Sequence, residues 1–140
     1  MTNSNANRYF AIVDGKDGAY GVVIPDFPGC HGGGATVEEA VQDATSALSE
    51  FATLMIRDGE AIPPPRSMDE IIDEHTATSG EKSTGGVYIP LIIERGQMVR
   101  ANLSIDAGLL QAIDEEAKRR GITRSAFMTN AAREKIEHAR

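Results

Sequence analysis

Arg100, Asn102 and Ser104 are the residues whose types and spacing point most directly at chemistry, and that chemistry is hydrogen bonding to base edges rather than bond breaking. They occupy alternate positions of Val99-Arg100-Ala101-Asn102-Leu103-Ser104-Ile105, a period-2 pattern that predicts a strand with one wet face. The opposite positions, Val99, Ala101, Leu103 and Ile105, are apolar and need cover. Domains below roughly forty residues seldom bury enough apolar surface alone, so the expected cover is a second copy of the same segment.

A polar strand face taken alone is more often solvated than functional, and the elements that follow shift that balance. Asp106 is a good N-cap for a helix through Arg120, with Leu109, Leu110, Ile113 and Ala117 facing inward and Gly121 as its stop. Thr123 caps a second helix whose apolar positions are Phe127, Met128, Ala131, Ala132 and Ile136. The order is strand, helix, helix. Free amides at the start of the second helix offer an anion site at Thr123, Arg124 and Ser125, suited to a phosphate. Val99, Ala101, Leu103, Ile105, Leu110, Ile113 and Phe127 are the expected dimer core. Lys118, Arg119 and Arg120 end a helix, where positive charge first serves the helix dipole.

Charge separates the chain into two parts. Residues 1–95 hold 6 basic and 15 acidic side chains, a net −9, while residues 96–140 hold 8 and 6, a net +2. Such asymmetry predicts two modules with different partners, one able to approach phosphate and one suited to a basic protein surface. An ordinary acidic surface with helical ion pairs accounts for the same numbers. A single cysteine, Cys30, excludes an internal disulfide and suits a reducing cytoplasm. No run approaches the ~18 apolar residues of a membrane span, and the start lacks the regions of a signal peptide, so a cytoplasmic protein is expected.

In the first module, Arg8–Val13 and Ala19–Pro25 are β-prone runs separated by a glycine-containing loop, which predicts a hairpin. Residues 25–35 are too rich in Gly and Pro for a regular central strand, leaving room for a short irregular one near Cys30–Ala35. Thr36-Val37-Glu38-Glu39 is a capping box for a long helix ended by Asp58-Gly59. After Pro63-Pro64-Pro65, Ser67 caps a short helix through Ile71, Ile72 and His75, and Thr76–Gly86 reads as a loop. Residues 87–93 return to strand character, with Pro90 favouring an edge, and residues 94–97 are the expected hinge.

Catalytic and metal readings are weaker. Asp14 and Asp17 sit in a turn where Asp is expected for its own backbone bonding, which argues against a two-metal cluster with Asp26. Cys30 and His31 adjoin each other and point to opposite faces of an extended segment, so Cys30 reads as buried and structural. His75 and His138 read as solvated. Gly32-Gly33-Gly34 lacks the spacing of a phosphate cradle. No catalytic residue, metal or cofactor is expected, and the chain is not read as an enzyme.

Arg100–Lys135 resembles the ribbon-helix-helix family of DNA-binding domains, with Arg100, Asn102 and Ser104 standing where that family places its base-reading triplet. Tyr9-Phe10, Pro25-Asp26-Phe27-Pro28-Gly29-Cys30 and Thr36-Val37-Glu38-Glu39-Ala40 resemble the HicB antitoxin domain. These resemblances imply an α+β fold. Residues 1–95 would be a HicB-like domain, a small antiparallel sheet with one long helix similar to a truncated ribonuclease H fold. Residues 96–140 would be a β-α-α ribbon-helix-helix module for dimerisation and DNA binding. They imply a type II antitoxin that neutralises a HicA-like mRNA-cleaving toxin through residues 1–95, its toxin contacts not specified by the sequence. They also imply autorepression, by binding operator DNA in the major groove as a dimer, with a tetramer as a further option. Ser104 is shorter than the Arg or Lys often found at its position. The alternative is an orphan ribbon-helix-helix regulator whose first module oligomerises or senses a ligand.

Overall fold

The computed structural model describes residues 8–80 and 85–138. By contact the chain divides after Gly96 into two compact units. The first holds a four-stranded antiparallel sheet in the order β3-β2-β1-β4, built from β1 (Arg8–Lys16), β2 (Ala19–Val23), β3 (His31–Gly34) and β4 (Gly85–Pro90). Its helices are α1 (Val37–Arg57) and α2 (Met68–Ser79). The second unit holds α3 (Ala107–Arg119) and α4 (Arg124–Glu137).

The hairpin forms, with a tighter turn than the sequence suggests. β1 runs on through Asp14, Gly15 and Lys16, which pair with Gly21, Tyr20 and Ala19, so only Asp17 and Gly18 turn. Gly15 permits this at φ 124, where an added Cβ would strike the Ala19 carbonyl.

Alternation along β1 loads both faces of the sheet. Tyr9, Ala11 and Val13 join Val22, Ile24, Phe27, Cys30 and the α1 stripe Ala40, Ala44, Leu48 and Ala52 in the main core. Phe10 and Ile12 point the other way and are buried with Ile71 of α2. The sheet is therefore covered on both sides, a correction to the expectation of one long helix alone. α2 is also longer than expected: Thr76–Ser79, read as loop, are helical, because Gly80 at φ 70 supplies a left-handed stop only afterwards.

The glycines of β3 let α1 approach. A Cβ on Gly32 would overlap the Ala44 backbone nitrogen and lie 2.7 Å from its Cα, and one on Gly34 would lie 2.8 Å from the Ala40 nitrogen. Small residues on the helix, Ala40 and Ala44, complete the close fit. The capping box works in altered form. Thr36 Oγ1 accepts from the Glu39 amide at 3.1 Å, while Glu39 Oε2 accepts from the amide of Ala35 rather than of Thr36.

Residues 58–67 carry the chain from one face of the sheet to the other and are fastened twice. The Tyr9 hydroxyl donates to the Pro63 carbonyl at 2.7 Å. Asp26, its side chain only 2% exposed, accepts from the Arg66 amide at 3.1 Å and from Arg66 Nε at 2.6 Å, and Arg66 also reaches Glu74. Arg66→Ala strips a buried carboxylate of its charged partner, so thermal or urea unfolding should show a loss of about 1–3 kcal/mol. Glu74→Ala, which removes the exposed end of the network, should cost under about 1 kcal/mol.

Candidate nucleic-acid and partner interfaces

The alternating segment is not a strand in the single chain. Residues 97–106 contain neither helix nor strand, because a strand is defined by its hydrogen-bonded ladder and no neighbouring strand lies in this unit. Its apolar side chains are uncovered: Val99 is 81% exposed and Leu103 67%. Ala101 is exposed and Ile105 half-buried. Arg100, Asn102 and Ser104 are exposed, and among the described residues none of the three side chains has a hydrogen-bond or ionic partner.

The two helices that follow form as the sequence predicts. Asp106 Oδ2 accepts from the amides of Gly108 and Leu109, and Thr123 Oγ1 accepts from Ala126. Gly121, at φ 70, separates them. Between them the helices bury only Ile113 and Ala117; Leu110 and Phe127 are half-buried, and Leu109 and Ile136 remain exposed. Most of the apolar side chains of these two helices are thus left without an interior in the single chain.

Arg124 sits where an anion site was expected, at the first turn of α4 beside Thr123 and Ser125, but its guanidinium is already engaged. Nε and Nη2 donate to the two carboxylate oxygens of Asp114, each at 2.8 Å, and this pairing holds the Asp114 carboxyl below its ordinary range. Sequence reading missed the pair because residues ten apart on two helices share no periodicity. The pair is exposed and therefore screened by salt. Glu116 similarly binds Arg119 and Arg120, and these two guanidiniums bring its carboxyl to about 2. Both guanidiniums are thus paired with a carboxylate of α3.

In the first unit the acidic side chains have separate tasks. Asp26 is held by Arg66, Asp17 accepts from the Tyr20 hydroxyl at 3.3 Å, and Asp14 lies 3.9 Å from His75 Nε2. His75 is thus half-buried against a carboxylate rather than simply solvated. Among the described residues no group of three His, Cys, Asp or Glu side chains is placed to hold a metal. The Cys30 thiol is buried, and burial pushes it up to about 11, so it stays protonated and unreactive at neutral pH. No helix among the described residues is long and apolar enough to cross a membrane.

Residues 9–132 match the profile of the HicB-like antitoxins of bacterial toxin-antitoxin systems. The chain belongs to this family. As a HicB-like antitoxin it is 27% identical, over 107 residues, to an uncharacterised 14.9 kDa protein from the rep-hol intergenic region of Haemophilus phage HP1, covering 76% of this chain and 79% of that one. Among solved structures it is similar to the antitoxin HicB of Burkholderia pseudomallei, at 27% identity and a TM-score of 0.48, covering 89% of this chain and 95% of that one. It shares its fold with a chain of a toxin-antitoxin complex from Streptococcus pneumoniae, at 17% identity and a TM-score of 0.51, covering 91% and 97%. The HicB resemblance carried by residues 9–40 is thereby borne out over most of the chain.

Proposed function

We propose that this HicB-like antitoxin neutralises a HicA-like mRNA-cleaving toxin by direct binding through residues 1–95 and represses its own operon through residues 96–140. The observation that carries the second half is the uncovered pair Val99 and Leu103 on a segment whose alternate residues are Arg100, Asn102 and Ser104. Pairing with the same segment of another chain supplies both the missing cover and the missing ladder. It leaves the three polar side chains together on the outer face of a two-stranded ribbon, a shape that fits the major groove. Thr123, Ser125 and the first free amides of α4 then receive phosphate, with Arg124 Nη1 adding charge.

The first unit supports the toxin-binding half through its charge. A net −9 over residues 1–95 suits a partner that must itself be basic to hold RNA, since opposite potentials speed encounter and help select the pair. Operator affinity is expected to rely on more than one ribbon and to fall with salt.

The test is co-expression with the small protein encoded beside this gene, followed by gel shifts on the upstream DNA. Co-purification of an RNA-cleaving protein whose activity is suppressed, together with a specific shift, is the expected result. Arg100→Ala should weaken operator binding by about 1–3 kcal/mol and leave toxin capture unchanged. Equal operator affinity would remove Arg100 from the reading face. A specific shift without any captured toxin would leave a ribbon-helix-helix regulator instead.

A further inference from the structure

The pairing proposed for residues 99–105 covers their apolar side chains and leaves a neighbouring one over. Met98 is 95% exposed, the highest value among the large apolar side chains that face solvent in the described residues. The period-2 alternation runs back through it without a break. Met98, Arg100, Asn102 and Ser104 fall on one face, and Val99, Ala101, Leu103 and Ile105 on the other. A second copy that covers Val99 and Leu103 therefore cannot cover Met98. Single exposed apolar residues are ordinary on protein surfaces, so exposure alone assigns Met98 nothing. Its place in the row does, because it is the one apolar member of a face whose other side chains form hydrogen bonds.

Register sets how far out it stands. Antiparallel pairing puts apolar residues opposite apolar ones, and covers the whole run 99–105 with its own copy, only when the two-fold axis passes Asn102, the middle residue. Met98 then lies four residues, about 13 Å, from that axis, beyond Arg100 on the outward face. The ribbon so formed carries a methionine at each of its two ends.

We propose that Met98 reads the C5-methyl group of a thymine at the outer edge of each operator half-site, a fourth contact beside those of Arg100, Asn102 and Ser104. The contact depends on the ribbon proposed above and adds a base to what it recognises. In the major groove every base edge presents hydrogen-bonding groups, and thymine adds an apolar one. A methionine side chain has no donor and its sulfur is a weak acceptor, so the methyl group is the feature it can recognise. Its three rotatable bonds let the thioether tip settle on that group from a residue just outside the paired run. Burying one methyl group there changes affinity about fourfold per half-site, and about fifteenfold over both.

Gel shifts of the full chain on the DNA upstream of its own gene test this, with each thymine in turn replaced by deoxyuridine, which lacks only the methyl group. Replacement at one symmetry-related pair of thymines should weaken binding by the unaltered chain about fifteenfold. It should leave binding by Met98→Ala unchanged, since that variant has already lost the contact. Met98→Leu should keep the discrimination, and Met98→Gln, of similar length but polar, should lose it. Discrimination that survives in Met98→Ala overturns the proposal, as does a Met98→Ala affinity equal to that of the unaltered chain on every fragment. Sedimentation should show the Met98→Ala dimer as stable as the original; a weakened dimer would place Met98 in the protein interface and overturn the methyl contact. Arg100→Ala separates this contact from the ribbon itself. Weakened binding by Arg100→Ala but not by Met98→Ala leaves the ribbon standing without the methyl contact, whereas no specific shift by the unaltered chain removes both.

Discussion

Leu103→Glu is expected to abolish operator binding while leaving the first unit folded. Leu103 is exposed in the single chain; in the proposed ribbon it would be buried, and a symmetric dimer of the variant would bury two carboxylates facing one another. Each buried unpaired charge costs several kcal/mol, and a loss of about 4 kcal/mol already weakens association roughly a thousandfold. Gel shifts should show no specific complex at concentrations that saturate with the unaltered chain. Sedimentation should show the stoichiometry halved. Toxin capture should persist, because no residue of the sheet or of α1 is altered. An unchanged shift would falsify the shared-core reading of residues 99–105 outright.

The second large effect concerns the sheet. Gly32→Val is expected to unfold the first unit, with a loss of about 3 kcal/mol or more, at the upper end for overpacking. The added atoms would meet the backbone of Ala44 and the Ala40 carbonyl, 2.9 Å from a Cβ, and a helix backbone cannot rotate aside as a side chain can. Gly33→Ala is the matched control. There a Cβ meets only the Tyr20 carbonyl at 3.4 Å, so its melting temperature should move little. Equal effects at the two positions would show that flexibility of the glycine run, rather than the approach of α1, sets the requirement.

Much of the architecture was legible because it rests on local rules. The Thr36 cap, the four-residue spacing of Ala40, Ala44 and Leu48, the Asp106 and Thr123 caps and the edge position of Pro90 are each stated by a few neighbouring residues. What escaped depends on residues distant in sequence. Nothing near Asp26 announces Arg66 forty positions away, and nothing near Arg124 announces Asp114. The second helical face arose from Phe10 and Ile12, which a local reading assigns to one apolar run with Tyr9 and Ala11. The candidate site divides in the same way. Alternation in residues 99–105 is visible in the letters, whereas the ladder that would make it a strand belongs to no single chain.

The crossing held by Tyr9, Asp26 and Arg66 also shapes how the first unit opens. α2 contributes one fully buried side chain, Ile71, to the sheet, whereas α1 contributes four residues and the close contact with β3. Segments with few buried contacts detach at lower free energy than the whole. α2 should therefore peel from Phe10 and Ile12 as a unit whenever the Arg66 clasp lets go, its amides exchanging with solvent well before those of β1. The hairpin and α1 would persist as the kernel from which it redocks.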